Sequence, residues 1–167
     1  MSLLILSHTV FGVVALAAGA MVLVRQKGDR WHQRAGWVYA VSLAVLCIES
    51  FWIQDSTPFF RGFGMFHVMA LVSFGTLVAG IVPAVRRWPG WLGWHYSFMV
   101  WSYIGLVMAT GSHVFRPVFL FFLRDVGLPG VACWAATAAL LWGLPPLIGA
   151  LLLKRREPGW KELAPQA

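Results

Sequence analysis

Residues 3–24 read LLILSHTVFGVVALAAGAMVLV, a run that contains no charged residue and one histidine, His8. A helix needs about 20 mostly apolar residues to cross the hydrocarbon core of a bilayer. Basic residues follow this run but none precedes it, which distinguishes it from a cleaved secretory signal. The stretch therefore predicts a retained transmembrane helix with its N-terminus outside.

The rest of the chain has the same apolar character. Of its 167 residues, 59% are hydrophobic and 11% are charged, whereas a soluble domain is about 45–50% apolar and about 25% charged. A globule this small could not bury so much apolar surface in water. The composition also excludes disordered and disulfide-scaffold chains. We therefore expect an integral membrane protein surrounded by lipid.

Five apolar runs predict an all-α, polytopic membrane helix bundle with five transmembrane helices in a single domain, residues 1–153. The predicted spans are about 3–24, 35–54, 63–85, 93–114 and 130–153. The apolar stretch at about 117–125 is too short to cross and predicts a helix that lies in the interface. Residues 154–167 are polar and predict a cytoplasmic tail.

The basic residues predict the orientation of the bundle. Ten of the 13 lysines and arginines fall in the first and third loops and in the tail, on one predicted side. Cytoplasmic loops carry such an excess. We therefore place the N-terminus outside and the C-terminus in the cytoplasm, in a bacterial inner membrane. The same bias accounts for the net charge of +7, so we expect no nucleic-acid partner.

All five histidines lie inside the predicted spans or close to their ends. Ionisable groups inside a membrane are costly and suggest function. In the predicted topology His8, His67 and His113 lie near the outer surface, whereas His32 and His95 lie near the inner surface. His95 and His113 share one face of the fourth span, about 27 Å apart.

Two histidine layers joined by one helix are typical of a transmembrane electron carrier. Haem b takes imidazoles as axial ligands and occupies an apolar slot between helices. Its propionates need cations, which Arg34 and Arg116 would supply. Bound haem would pass electrons across the bilayer or serve a quinone. The predicted cofactor-binding residues are His8, His32, His67, His95, His113, Arg34 and Arg116.

Other interpretations of these residues stay open. His8, His67 and His113 could hold zinc or copper together with Glu49, because three imidazoles suffice for such a metal. This outer layer is the one that we expect to be the functional centre. All five histidines could instead have structural roles. The chain could also be a non-catalytic accessory subunit of a larger energy-transducing complex, with the fifth span as its docking helix for other membrane subunits.

An ordered set of short motifs resembles the DUF2306 family of predicted bacterial membrane proteins. The motifs are His8, the segment HQRAGWVY from His32 to Tyr39, Phe66-His67, and HYSFM from His95 to Met99. They cover about residues 3–116. Gln33 follows the histidine where the family pattern has arginine, which here is displaced to Arg34. The resemblance implies that the first four histidines matter but implies no reaction. The layout is also similar, by analogy, to small di-haem b-type membrane cytochromes.

Overall fold

The structure, a computed structural model, describes residues 2–53 and 63–161, with side chains as far as residue 155. Its elements are α1 (Leu3–Val24), α2 (Arg30–Ser50), α3 (Met65–Arg86), α4 (Trp91–Arg124), α5 (Gly130–Ala138), a π-helical turn (Ala139–Gly143) and α6 (Leu144–Lys161). The all-α class is therefore confirmed. The predicted loop around Arg61, the last residue of the second predicted span and the end of the tail lie outside the described residues.

Polar residues fix where the first two helices begin. The Ser2 side chain accepts a hydrogen bond from the backbone N–H of Ile5 at 3.3 Å, and Asp29 accepts one from the N–H of His32 at 2.6 Å. Such N-caps satisfy backbone donors that have no partner within the helix. The cap at Asp29 starts α2 five residues before the apolar run, so the helix includes the basic segment around Arg34.

Four helical segments in the described residues are long and apolar enough to cross a membrane: α1, α3, α4 and the continuous stretch Gly130–Arg155. The prediction of five is corrected here, because α2 does not qualify. Its first turns carry Arg30 and Arg34, and its interior includes Tyr39, Ser42 and Glu49. These polar residues lower the hydropathy of every window along the helix.

Helix α4 is longer than the sequence predicted. It runs for 34 residues with Pro117 inside it, a length of about 51 Å against about 30 Å for the hydrocarbon core. The stretch at 117–125, predicted as a separate interfacial helix, belongs to α4 up to Arg124. The helix ends at Arg124. Three residues later Gly127 adopts a φ of 75°, a conformation that favours glycine.

Contacts divide the chain into two compact units, Met1–Tyr103 and Ile104–Ala167. In the first unit α1 and α2 run antiparallel along their whole length. Ser7 bonds to Glu49 at one end, and Gly12 lies against Leu46 in the middle. Helices α3 and α4 form a second antiparallel pair, in which Gly80 lies against Met99.

Small residues let the helices of the first unit approach closely. Ala15 and Ala18 are buried on α1, and Gly19 faces the rings of Tyr39 and Tyr103. Gly80 on α3 plays the same part opposite the Met99 side chain. Close packing through small residues is the main source of helix association in lipid, where the hydrophobic effect between helices is absent.

The second unit pairs the end of α4 with the following helices. Gly111 lies beside Leu141 of the π-helical turn, and Phe115 stacks on Trp142 with ring centroids 5.3 Å apart. The π-helical turn directly precedes Pro145 and Pro146. Prolines lack the N–H of a regular helical turn, which accounts for the local change in winding.

Candidate functional site

Two histidines meet at one end of the first unit. His32 lies at the start of α2 and His95 near the start of α4, and their ring centroids are 6.5 Å apart with the planes inclined by 79°. Seven residues further along the same two helices, Tyr39 bonds to Ser102 at 2.8 Å. The equal offset shows that α2 and α4 run parallel here, with the histidines at the same level.

The ring of His95 is held by a backbone carbonyl. Its Nδ1 lies 2.9 Å from the carbonyl oxygen of Gly80. A carbonyl can only accept, so Nδ1 carries the proton and Nε2 of the neutral ring presents a lone pair. Metal-binding and haem-binding histidines are oriented by this kind of bond. The indole of Trp91 lies beside the ring, with centroids 6.3 Å apart.

His32 is also tied to the backbone, through a bond to the carbonyl of Val22. Its Nδ1 is buried and finds no hydrogen-bond partner among the described residues. Burial lowers the pKa of His32 below its usual 6.5, and the charge of Lys27 lowers it further, while Asp29 acts in the opposite direction. The ring is therefore neutral at pH 7, with a lone pair on Nδ1.

His67 caps a helix and does not belong to the pair formed by His32 and His95. It is buried on α3, and its Nδ1 accepts a hydrogen bond from the backbone N–H of Gly64 at 3.0 Å. This bond caps the N-terminus of the helix. The neutral ring then has its proton on Nε2, so in this arrangement His67 presents no lone pair to a metal. The rings of Phe63 and Phe51 pack around it, at centroid distances of 4.7 and 6.0 Å.

Glu49 lies at the same end of the unit as the start of α1. Its Oε1 accepts a 2.6 Å hydrogen bond from the hydroxyl of Ser7, and its Oε2 is buried without a hydrogen-bond partner among the described residues. His8 follows Ser7 on α1 and is half-buried.

The three remaining predicted residues have exposed side chains. His113 and Arg116 belong to the second unit and have exposed side chains. Arg34 is exposed on α2, and its guanidinium lies over the ring of Trp31, 5.7 Å from the centroid.

The described part of the chain contains no group of three or more histidine, cysteine, aspartate or glutamate side chains placed to hold a metal ion. Nothing in these residues thus supports the outer site predicted from His8, His67, His113 and Glu49. The described contacts instead bring together the two inner histidines.

Three residues near the pair were missed at the level of sequence. Tyr39 and Ser102 are almost fully buried, and the hydroxyl of Tyr103 donates to the carbonyl of Leu16 at 3.2 Å. A signal for two of them was present, because Tyr39 and Ser102 each follow a histidine by seven residues. Seven residues are two helical turns, which places them on the same face as that histidine.

These features define an all-α membrane protein with a pair of half-buried imidazoles at one end of its first unit. The model of the DUF2306 family, described as a predicted membrane protein, matches residues 5–144, which is most of the chain. The chain belongs to this family, as its histidine motifs predicted. Comparison with curated proteins and with solved structures finds no match.

Proposed function

We propose that this protein binds one haem b between His32 and His95 and transfers electrons within the membrane. The observation that carries the proposal is the 6.5 Å separation of two imidazole rings that come from different helices. Nitrogen–metal bonds to imidazole are about 2.0–2.1 Å long, so two imidazoles that would hold one haem iron together need rings that lie close to each other. His32 and His95 meet this requirement.

The proton positions of both rings support the same assignment. The carbonyl of Gly80 holds the proton of His95 on Nδ1, which makes the ring more basic at Nε2, and the carbonyl of Val22 fixes the ring of His32. Both imidazoles are kept neutral and each retains a lone pair. Neutral imidazole is the form that binds iron.

The charges around the pair suit the carboxylates of a haem. The end of the unit that contains His32 and His95 also contains the basic residues Lys27, Arg30 and Arg34. Haem propionates at the membrane surface pair with such cations. Arg116, which the sequence predicted as a cation for a haem propionate, is not part of this proposal.

Bound haem b supplies a reversible one-electron change, and the protein supplies the ligands and the apolar surroundings. We propose a membrane quinone as the electron partner, because the helices of this unit expose their apolar faces to the bilayer. We further propose a bacterial inner membrane, with the basic end of the unit on the cytoplasmic side.

The proposal is tested by the haem content of purified variants after expression with a haem precursor. His95→Ala and His32→Ala should each lose most of the bound haem, whereas the matched control His113→Ala should keep it. Equal haem content in all three variants would contradict the assignment. A colourless protein that is stable only with other membrane proteins would indicate an accessory subunit. Bound zinc or copper in place of haem would indicate a metal site.

A further inference from the structure

An apolar groove runs along the outside of α3, separate from the histidine pair. Its volume is about 420 Å³, within the range of roughly 300–1,000 Å³ that small-molecule sites occupy. Every lining side chain is apolar or tryptophan: Phe74, Val78, Ala79, Val82, Pro83, Trp88 and Trp94, with Gly75 in the floor. Such a lining offers almost no hydrogen bonds, which excludes a polar ligand and favours a hydrocarbon chain.

The groove follows the helix axis. Its α3 residues recur at intervals of about four from Phe74 to Pro83, which places them on one face over about 14 Å. Gly75 leaves open space, because a Cβ atom added there would meet no atom within 4 Å. Trp88 and Trp94 form one wall of the groove. The ring of Trp94 stacks on the ring of Phe98, with centroids 5.5 Å apart.

Two arginines lie beside the end of the groove that Trp88 closes. Arg86 is the last residue of α3, and Arg87 follows it with its guanidinium over the ring of Trp91 at 4.6 Å. Both side chains are exposed. Neither α3 nor α4 contains an acidic residue, so these helices supply no carboxylate for the two cations. Tryptophan beside arginine is typical of the level of lipid headgroups.

We propose that this groove binds an anionic phospholipid. One acyl chain occupies the groove, and the net negative charge of the headgroup is attracted to Arg86 and Arg87. The charge selects the headgroup, because each basic residue near a membrane surface contributes about 1 kcal/mol toward an anionic lipid, or about five-fold in affinity. The site is independent of the haem proposal, since neither His32 nor His95 lines the groove.

The test is a titration of the full-length, detergent-solubilised protein with dioleoylphosphatidylglycerol and dioleoylphosphatidylcholine, followed by native mass spectrometry. The wild-type protein should bind the glycerol lipid much more tightly than the choline lipid. The double variant Arg86→Gln/Arg87→Gln should lose about 30-fold in affinity for the glycerol lipid. Its binding of the choline lipid should stay nearly the same.

A second pair of variants tests the groove itself. Gly75→Phe fills the floor and should weaken binding of both lipids at least ten-fold. Gly36→Phe on α2 is the matched control, because a Cβ atom there also meets nothing within 4 Å, and it should bind like wild type. Equal affinity for the two lipids, or equal binding by the two phenylalanine variants, would overturn the proposal. A wild-type dimer that dissociates in the Gly75→Phe variant would also overturn the proposal, because the groove would then be occupied by a second copy of the chain.

Discussion

His32 and His95, 63 residues apart in sequence, place their imidazole rings 6.5 Å apart at one end of a four-helix unit. The relationship depends on two parallel helices in register, because Tyr39 and Ser102 meet in the same way two turns further along. Both rings are held by backbone carbonyls, which side-chain substitutions elsewhere leave in place. The pair is therefore a fixed feature of the packing.

The pH dependence of stability should reveal the environment of His32. Its pKa is lower in the folded protein than the usual 6.5, because burial and the charge of Lys27 oppose protonation and outweigh Asp29. The unfolded chain then binds the proton more readily, so stability is fully present above pH 6.5 and falls as the pH decreases below it. Thermal melts in detergent between pH 7.5 and 5 should show this loss. His32→Gln should reduce it, and an unchanged profile in that variant would contradict the assignment.

The Ser7–Glu49 pair should show strong coupling in a double-mutant cycle. Ser7→Ala removes the donor to Oε1 and leaves both oxygens of a buried carboxyl group without a partner, at a cost of about 1–3 kcal/mol. Adding Glu49→Leu should recover most of this loss, because both polar partners are then gone. Chemical denaturation of the three variants measures the cycle. Additive effects would show that the two side chains do not depend on each other.

A side chain at Gly19 should destabilise the protein. A Cβ atom there would overlap the ring of Tyr103 and come within 3.0 Å of Tyr39. Tyr103 could move only by losing its bond to the carbonyl of Leu16. We expect Gly19→Ala to lower the free energy of unfolding by about 1–3 kcal/mol. Gly36→Ala, the control in open space, should be neutral or gain up to about 1 kcal/mol. Equal stability of the two variants would argue against this packing.

Reporter fusions should place both tight turns of the first unit on one side of the membrane. The turn at Gly28 connects α1 to α2 and the turn at Pro89 connects α3 to α4, and both lie at the basic end of the unit. We expect cytoplasmic signals from both sites. A signal from outside at Gly28 would reverse the orientation, and signals from opposite sides would contradict the antiparallel packing of the four helices.

Hydropathy and capping residues predicted much of the helical layout. The first helix has the predicted bounds, because an uninterrupted apolar run between Ser2 and Arg25 leaves no other choice. The second helix was counted among the apolar spans, but its polar residues, which include the buried Tyr39 and Ser42, keep its hydropathy below that of the other four. The extent of α4 was underestimated, since Pro117 is read as a helix end and the structure keeps it inside.

For the site, the sequence predicted only which histidines lie at the same depth. The sequence assigned His32 and His95 to the same level, and the structure confirms that they meet. It could not predict that His67 turns its Nδ1 toward the N–H of Gly64, because a cap depends on one side-chain rotamer. The outer site predicted from His8, His67, His113 and Glu49 stays a prediction.

The absorption spectrum of the purified protein tests the central claim most directly. The protein expressed with a haem precursor should show a Soret band that shifts on reduction with dithionite, as expected for iron between two imidazoles. The band should correspond to one haem per chain and disappear in His95→Ala. A preparation that is folded, helical and colourless, with no change on adding dithionite, would contradict the claim that His32 and His95 bind haem.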